Sequence, residues 1–135
     1  MKNLNIALLC YLLAIPSMGF AKDYYGALAV DLNSGIFGGS VDMGSEKEAE
    51  KVALEFCKKK GGKGCVIANV FSNSCSALAY SKQKKKGKIG WAESSLSGAE
   101  NESINRCRSL DKAKDCKVIA SVCTSWETYY EYEVW

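Results

Sequence analysis

The chain has 135 residues, 18 basic against 15 acidic side chains, seven cysteines and no histidine. A charge so near balance argues against a dedicated polyanion binder, and the lack of histidine excludes Ser-His-Asp and Cys-His machinery. The length suits a single domain whose modest core would gain from cross-links.

Residues 1–21 read as a secretory signal peptide: Lys2, an apolar run from Ile6 to Ile15, then Pro16, Ser17 and Gly19 leading to Ala21. The run is shorter than the roughly 20 apolar residues that span a bilayer, so no transmembrane segment is expected after cleavage. Loss of this segment removes Lys2 and Cys10, leaving 17 basic and 15 acidic residues and six cysteines.

From Tyr25 to Thr124 one pattern is written twice. Ala27-Leu28-Ala29 recurs as Ala77-Leu78-Ala79, and Ala49-Glu50, Ala53 and Cys57 recur as Ala99-Glu100, Ser103 and Cys107, each at a shift of 50. Cys65 with Val66-Ile67-Ala68 returns as Cys116 with Val118-Ile119-Ala120. Such self-similarity marks a duplicated supersecondary unit. Residues 22–75 form the first repeat, 76–124 the second, and 125–135 an added strand.

In the first repeat, 24–31 is an apolar strand, Asn33-Ser34-Gly35 a turn, and 36–41 the return strand. Gly38-Gly39 predicts a bulge or a close backbone approach; the phosphate-loop pattern GxxxxGK[ST] is absent. Ser45 with Glu48 forms a capping box that opens a helix to about Lys60. Its apolar stripe is Ala49, Val52, Ala53, Phe56 and Cys57. Lys58-Lys59-Lys60 complements the helix C-terminus, Gly61-Gly62 stops it, and 65–71 is the third strand.

The second repeat follows the same plan. Strands 76–81 and 89–93 flank a lysine-rich loop, Ser97 with Glu100 suggests a second capping box, and 117–122 closes the unit. The second helix keeps Ala99, Ser103, Ile104 and Cys107 but has Glu102 and Arg106 where the first has Val52 and Phe56, so it is expected to be the more exposed. After Cys123, residues 126–135 alternate Trp126, Thr128, Tyr130, Tyr132 and Val134 with Glu127, Tyr129, Glu131 and Glu133, the signature of a half-buried strand. The fold class is therefore α+β: a duplicated ββαβ unit forming antiparallel sheet with two helices on one side, stapled by disulfides.

Six cysteines in a short exported chain predict a disulfide framework, and bare counting allows 15 pairings. Equivalent positions in equivalent units should make equivalent bonds. The expected set is Cys57–Cys65, Cys107–Cys116 and, by remainder, Cys75–Cys123 joining the closing strands of the two repeats. In the chain-entropy account the short loops contribute about 2.6 kcal/mol each and the long one about 4. An all-cysteine zinc site is the rival, but no CxxC pair is present. A thiol nucleophile would need a histidine base and a redox site a CxxC, so structural disulfides are preferred, with no metal, cofactor or catalytic residue expected.

Two segments are candidate partner-binding surfaces. Lys82, Lys84, Lys85, Lys86 and Lys88 form the densest charge cluster, suited to an anionic surface or simply to a solvated hairpin. The cluster lacks interleaved aromatics and arginine, which disfavours nucleic acid. Trp126, Tyr129, Tyr130, Tyr132 and Trp135 offer the aromatic chemistry of interface hot spots, or an edge strand completing the core. The acidic side chains sit on helices and in the tail with no setting that marks a glycosidase pair.

Tyr25-Gly26-Ala27-Leu28-Ala29, the Ala49-Glu50-x-x-Ala53-x-x-x-Cys57 helix, Cys65, Asn73-x-Cys75-x-Ala77-Leu78-Ala79, Gly90-Trp91 and the Ala99-Glu100 to Cys107 helix resemble the small secreted bacterial proteins of domain of unknown function 4189. The resemblance runs from Tyr25 to about Thr124; the aromatic tail is extra. It implies a disulfide-bonded, periplasmic or secreted bacterial domain and brings no activity or catalytic residues. The expected function is a non-enzymatic protein-binding domain, such as an inhibitor or immunity protein against a toxin or hydrolase. A surface or envelope attachment protein and a carboxylate-dependent hydrolase are the alternatives.

Overall fold

The computed structural model describes residues 23–93 and 95–124; the signal segment 1–21 and the strand expected over 125–135 lie outside them. The first unit comprises β1 (Tyr25–Asp31), β2 (Phe37–Met43), α1 (Glu46–Lys59) and β3 (Cys65–Ser72), the second β4 (Cys75–Ser81), β5 (Lys86–Ala92), α2 (Leu96–Leu110) and β6 (Lys117–Cys123). Each makes its own antiparallel sheet with the first strand central, in the orders β2-β1-β3 and β5-β4-β6. The third strands share one irregularity: pairing skips Ala68 opposite Leu28 and Ala29, and Ile119 opposite Leu78 and Ala79. Retention of the bulge in both copies is a structural mark of the duplication.

The alternation of β1 and β4 explains the layers. Ala27 and Ala29 pack with Ala49, Ala53 and Cys57 of α1. In the second unit Ala77 meets Ala99, and Ala79 meets Cys107. The intervening residues turn the other way. Leu28, Val30 and Phe71 meet Leu78 and Ala120 in a core between the sheets, flanked by Phe37, Ile89 and Ile119. Each sheet thus has its helix on one side and the other sheet on its second side, giving four layers in the order helix, sheet, sheet, helix. The two helices lie on opposite outer faces and not on one side as expected, because the Leu28 and Leu78 faces pack together.

Helix-to-sheet distance is set by small residues. A Cβ on Gly38 would overlap the Ala53 carbonyl and Cys57 nitrogen of α1, and one on Gly90 would overlap the Ala99 carbonyl and Ser103 nitrogen of α2. Gly38 is therefore the close approach that its sequence suggested, while the register shift of β1 and β2 lies between the partners of Tyr25 and Ala27. At the repeat position of Gly90 the first unit has Ser40, whose hydroxyl donates to the Ala49 carbonyl at 2.6 Å.

Three further expectations are corrected. The first concerns the start of α2: its N-cap is Ser95, which accepts from the Gly98 N–H at 3.0 Å, so the Ser97–Glu100 box does not form. The Glu100 carboxylate instead accepts from the Ser121 hydroxyl of β6 at 2.7 Å. The Ser45 half of the first box does form, accepting from the Glu48 N–H at 3.1 Å, while the Glu48 carboxylate accepts from the Gly44 N–H at 3.3 Å, one residue before the cap. The second correction concerns burial, because α1 buries Ala49, Ala53 and Cys57, and α2 buries Ala99, Ser103 and Cys107, position for position. Phe56 is 46% exposed, whereas Glu102 accepts from the Trp91 N–H at 3.0 Å and Arg106 donates to the Ile89 carbonyl at 3.1 Å. Polar side chains at those flanking positions serve edge strand β5, and the helix is no more exposed for having them.

The third correction concerns one disulfide's place. All three bonds pair as expected: Cys57–Cys65, Cys75–Cys123 and Cys107–Cys116. Cys75 and Cys123 face each other in the β4–β6 ladder, however, so that bond lies within the second sheet and does not join the repeats. Cys75 opens β4, one residue before the expected division of the repeats. The matching pair in the first sheet, Tyr25 and Ser72, carries no sulfur.

Gly38→Ala and Gly90→Ala are each expected to lower unfolding free energy by about 1–3 kcal/mol through overpacking against helix backbone. Gly39→Ala, where the added atom would meet only Leu28 Cδ2 at 3.4 Å and a more distant carbonyl, is expected to cost less. Urea denaturation of the oxidised proteins measures the difference.

Candidate functional site

The two sheets run alike, so the domain has two chemically distinct ends. One carries both hairpins and both loops from helix to third strand. The Tyr80 hydroxyl donates to the Leu32 carbonyl at 2.6 Å across the sheets, and the Tyr80 ring lies against Gly35, whose φ of +76° no L side chain favours.

At this end each unit ties its hairpin to its helix–strand loop with one carboxylate, from opposite sides. In the first unit Asp31 ends β1 and accepts from the N–H groups of Asn33 at 3.0 Å, Lys63 at 3.0 Å and Gly64 at 3.3 Å. In the second, the residue matching Asp31 is Ser81, and the acid has moved into the loop. Asp115 accepts from the Ser81 hydroxyl at 2.6 Å and the Gln83 N–H at 2.9 Å. Burial works to raise the Asp31 carboxyl, yet the N–H groups of Lys63, Asn33 and Gly64 with the Ser34 hydroxyl outweigh it and hold the group below its ordinary 3.8. The Ser81 hydroxyl, then the Gln83 N–H, lower Asp115 likewise. Burial, then the Asp31 and Asp115 charges, raise the Tyr80 phenol above 10.0.

The predicted lysine cluster divides. Lys82, Lys84 and Lys85 lie in the turn between the paired residues Ser81 and Lys86, and all four lysines are exposed. Lys86 and Lys88, expected in the loop, are on β5. Lys88 points back to the α2 terminus and pairs with the Asp111 carboxylate at 3.3 Å, so it belongs to the scaffold. The Asp115 bonds bring the α2–β6 loop to this hairpin, and with it come Lys112, Lys114 and Lys117, all exposed. Those three were missed in sequence, where they stand 30 residues from the cluster they join. The signal was available in the ββαβ order, which returns every helix–strand loop to the hairpin end.

The opposite end holds the helix N-termini and the strand ends. Thr124, fully buried, donates its N–H to the Ser74 carbonyl at 2.8 Å, and its methyl group fills the space beside Gly26. Trp91 stands here, 47% exposed. Its indole N–H donates to the Ser74 hydroxyl at 2.8 Å and its backbone N–H to Glu102. Trp126, Tyr129, Tyr130, Tyr132 and Trp135 lie outside the described residues, but the chain leading to them leaves from Thr124, beside Trp91. This end is acidic, with Glu46 and Glu48 in the first turn of α1 and Asp23 and Glu93 exposed near the strand ends.

All six cysteines among the described residues are in disulfides, and no group of three or more Cys, Asp or Glu there is placed to hold a metal ion. No helix among the described residues is long and apolar enough to cross a membrane.

Two stacked ββαβ units, each clipped from helix to third strand by one disulfide, define a duplicated α+β domain of the disulfide-stapled kind. The chain belongs to the family described as Domain of unknown function (DUF4189), which matches residues 25–123. It is similar to the NMR structure of Rv1813c from Mycobacterium tuberculosis, with 28% identity over 75% of each chain and a TM-score of 0.52. No curated protein matches the chain.

The carboxylates and the phenol make stability depend on pH at both extremes. Asp31 and Asp115 have folded values below the unfolded 3.8. Their contribution is complete above that value and is lost as pH falls through the lowered ones. Tyr80 has the opposite sign: its contribution is complete below 10.0 and is lost as pH rises through its raised value. Thermal unfolding followed across pH is expected to show both limbs. Asp31→Asn or Asp115→Asn should flatten the acid limb. Tyr80→Phe should flatten the alkaline limb while costing about 1 kcal/mol at neutrality through the lost hydrogen bond to Leu32.

Proposed function

We propose that this protein is a non-enzymatic binding domain of the bacterial periplasm or exterior that engages a protein partner through its acidic, aromatic end. The carrying observation is Trp91: half exposed, yet held through both of its N–H groups by Ser74 and Glu102. A large aromatic surface fixed before binding loses little rotamer freedom when a partner covers it, which is the property of an interface anchor. Trp91 bonds to Ser74, which in turn bonds to Thr124, the last described residue before the aromatic segment 125–135. The acids interleaved in that tail, with Glu46, Glu48 and Glu93, suit a basic partner surface.

An inhibitor or immunity protein that occludes a toxin or hydrolase is the specific form this reading takes. The rigid cross-linked scaffold supports it, because a stapled domain keeps its binding face formed in an oxidising compartment. The chemistry supports a role without catalysis: the chain offers no imidazole and its described cysteines are bonded. Asp31 and Asp115, which flank Tyr80, have lowered values, whereas a carboxylate hydrolase needs one raised.

Affinity capture from periplasm and culture supernatant with the oxidised protein is expected to retain a basic protein that binds reversibly. Trp91→Ala is expected to weaken that complex about 30-fold, the scale of a 2 kcal/mol hot spot. Removal of residues 125–135 is expected to weaken it further. A complex indifferent to both changes would refute this assignment of the face.

A further inference from the structure

The hairpin end has a different chemistry from the Trp91 end, and we propose that it docks on an anionic phospholipid bilayer. Lys82, Lys84, Lys85 and Lys86 on one hairpin share this end with Lys112 and Lys114 on the adjoining loop and Lys117 at the start of β6, and the Asp115 bonds to Ser81 and Gln83 hold the two segments together. The acids at this end are outnumbered. Asp31 and Asp115 stay ionised while accepting internal hydrogen bonds, and Asp111 pairs with Lys88, against seven further exposed lysines.

Beside these lysines the first unit presents aliphatic groups. Leu32 and Val66 are 37% and 51% exposed. Leu32 lies against Gly87 of the second unit, and Val66 pairs with Val30 in the row next to it. The duplication makes the pattern explicit: Lys82 occupies the repeat position of Leu32, and in the ladders Lys117 pairs with Tyr80 where Val66 pairs with Val30, one residue off the Val66–Val118 match read from sequence. Equivalent sites on one end thus carry aliphatic side chains in one unit and lysines in the other.

That mixture fits a bilayer better than another macromolecule. Protein interface cores favour Trp, Tyr and Arg and are depleted in Lys. Single-stranded nucleic acid wants aromatic platforms, and double-stranded readout favours the arginine fork. Lysines draw a protein to anionic headgroups by roughly 1 kcal/mol each near the surface, their methylene stems lie comfortably at the apolar boundary, and exposed aliphatic groups enter it. Charge and apolar contact together are the two signals that reversible membrane docking needs. The geometry leaves the Trp91 end pointing away from the bilayer, free for the partner.

The test is co-sedimentation of the oxidised, signal-free full chain with vesicles of phosphatidylglycerol and phosphatidylcholine, and with phosphatidylcholine alone. Binding is expected on the mixed vesicles only and should fall as salt rises. Lys84→Gln and Lys114→Gln, distant in sequence, should each weaken it about fivefold, the equivalent of roughly 1 kcal/mol per lysine. Leu32→Ser should weaken it at every salt concentration. Lys88→Gln, which removes an internal ion pair, should lower thermal stability and leave vesicle binding intact. Equal binding to phosphatidylcholine alone, or dependence on Lys84 without Lys114, would overturn the proposal. Retention on a polyglutamate matrix with none on mixed vesicles would overturn it in favour of an acidic protein.

Discussion

The contact on which the rest depends is the near touching of helix and sheet at an alanine-lined face. Ala27 and Ala29 lie under α1, Ala77 and Ala79 under α2, and Gly38 and Gly90 let the helix backbone approach edge strands β2 and β5. Such a face is well packed but buries few methylenes, at about 0.8 kcal/mol for each. It therefore gives less stabilisation than a leucine-rich interface of equal length. Two features make up the difference. Leu28 and Leu78 fill the space between the sheets, and Cys57–Cys65 and Cys107–Cys116 clip each helix end to the third strand it precedes.

The two repeats show how a physical link persists while its residues change. The hairpin must be tied to the helix–strand loop because both carry backbone N–H groups with no strand partner. The first unit does this with a carboxylate on the strand, Asp31, and the second with one on the loop, Asp115. Tyr80 lies between them and reaches across to the Leu32 carbonyl, so the sheets are joined by a hydrogen bond at the end where neither sheet has a covalent link to the other. The cross-strand bond Cys75–Cys123 sits at the far end and steadies the second sheet alone.

The connectivity also sorts charge. Both helices begin at the acidic end and finish at the basic end, with Glu46 and Glu48 in the first turn of α1, Lys58 and Lys59 in its last, and Arg108 in the last turn of α2. This agrees with the helix dipole. A chain of nearly balanced net charge becomes a strongly polar object, and overall balance does not weaken the positive field at one end. The proposed roles of the two ends follow from that separation.

Much of the fold was written in local patterns. Repeat spacing, the apolar runs around Leu28 and Leu78, the Ser45 cap and the alanine stripes report strand, helix and buried face because these depend on neighbours within a few residues. The repeat added the pairing of the cysteines. What depended on distant partners was not legible. Glu100 looked like a capping residue until Ser121 of β6 met it, and Glu102 and Arg106 looked like marks of exposure until β5 supplied a strand edge to satisfy. Lys88 looked free until Asp111 paired with it, and Lys112, Lys114 and Lys117 had no connection with the hairpin until Asp115 bound Ser81. The amino-acid order alone settles what each short segment becomes, because periodicity and capping are local. Which end of the domain is basic and which aromatic is decided only when two sheets stack in the same direction and bring segments from both repeats together.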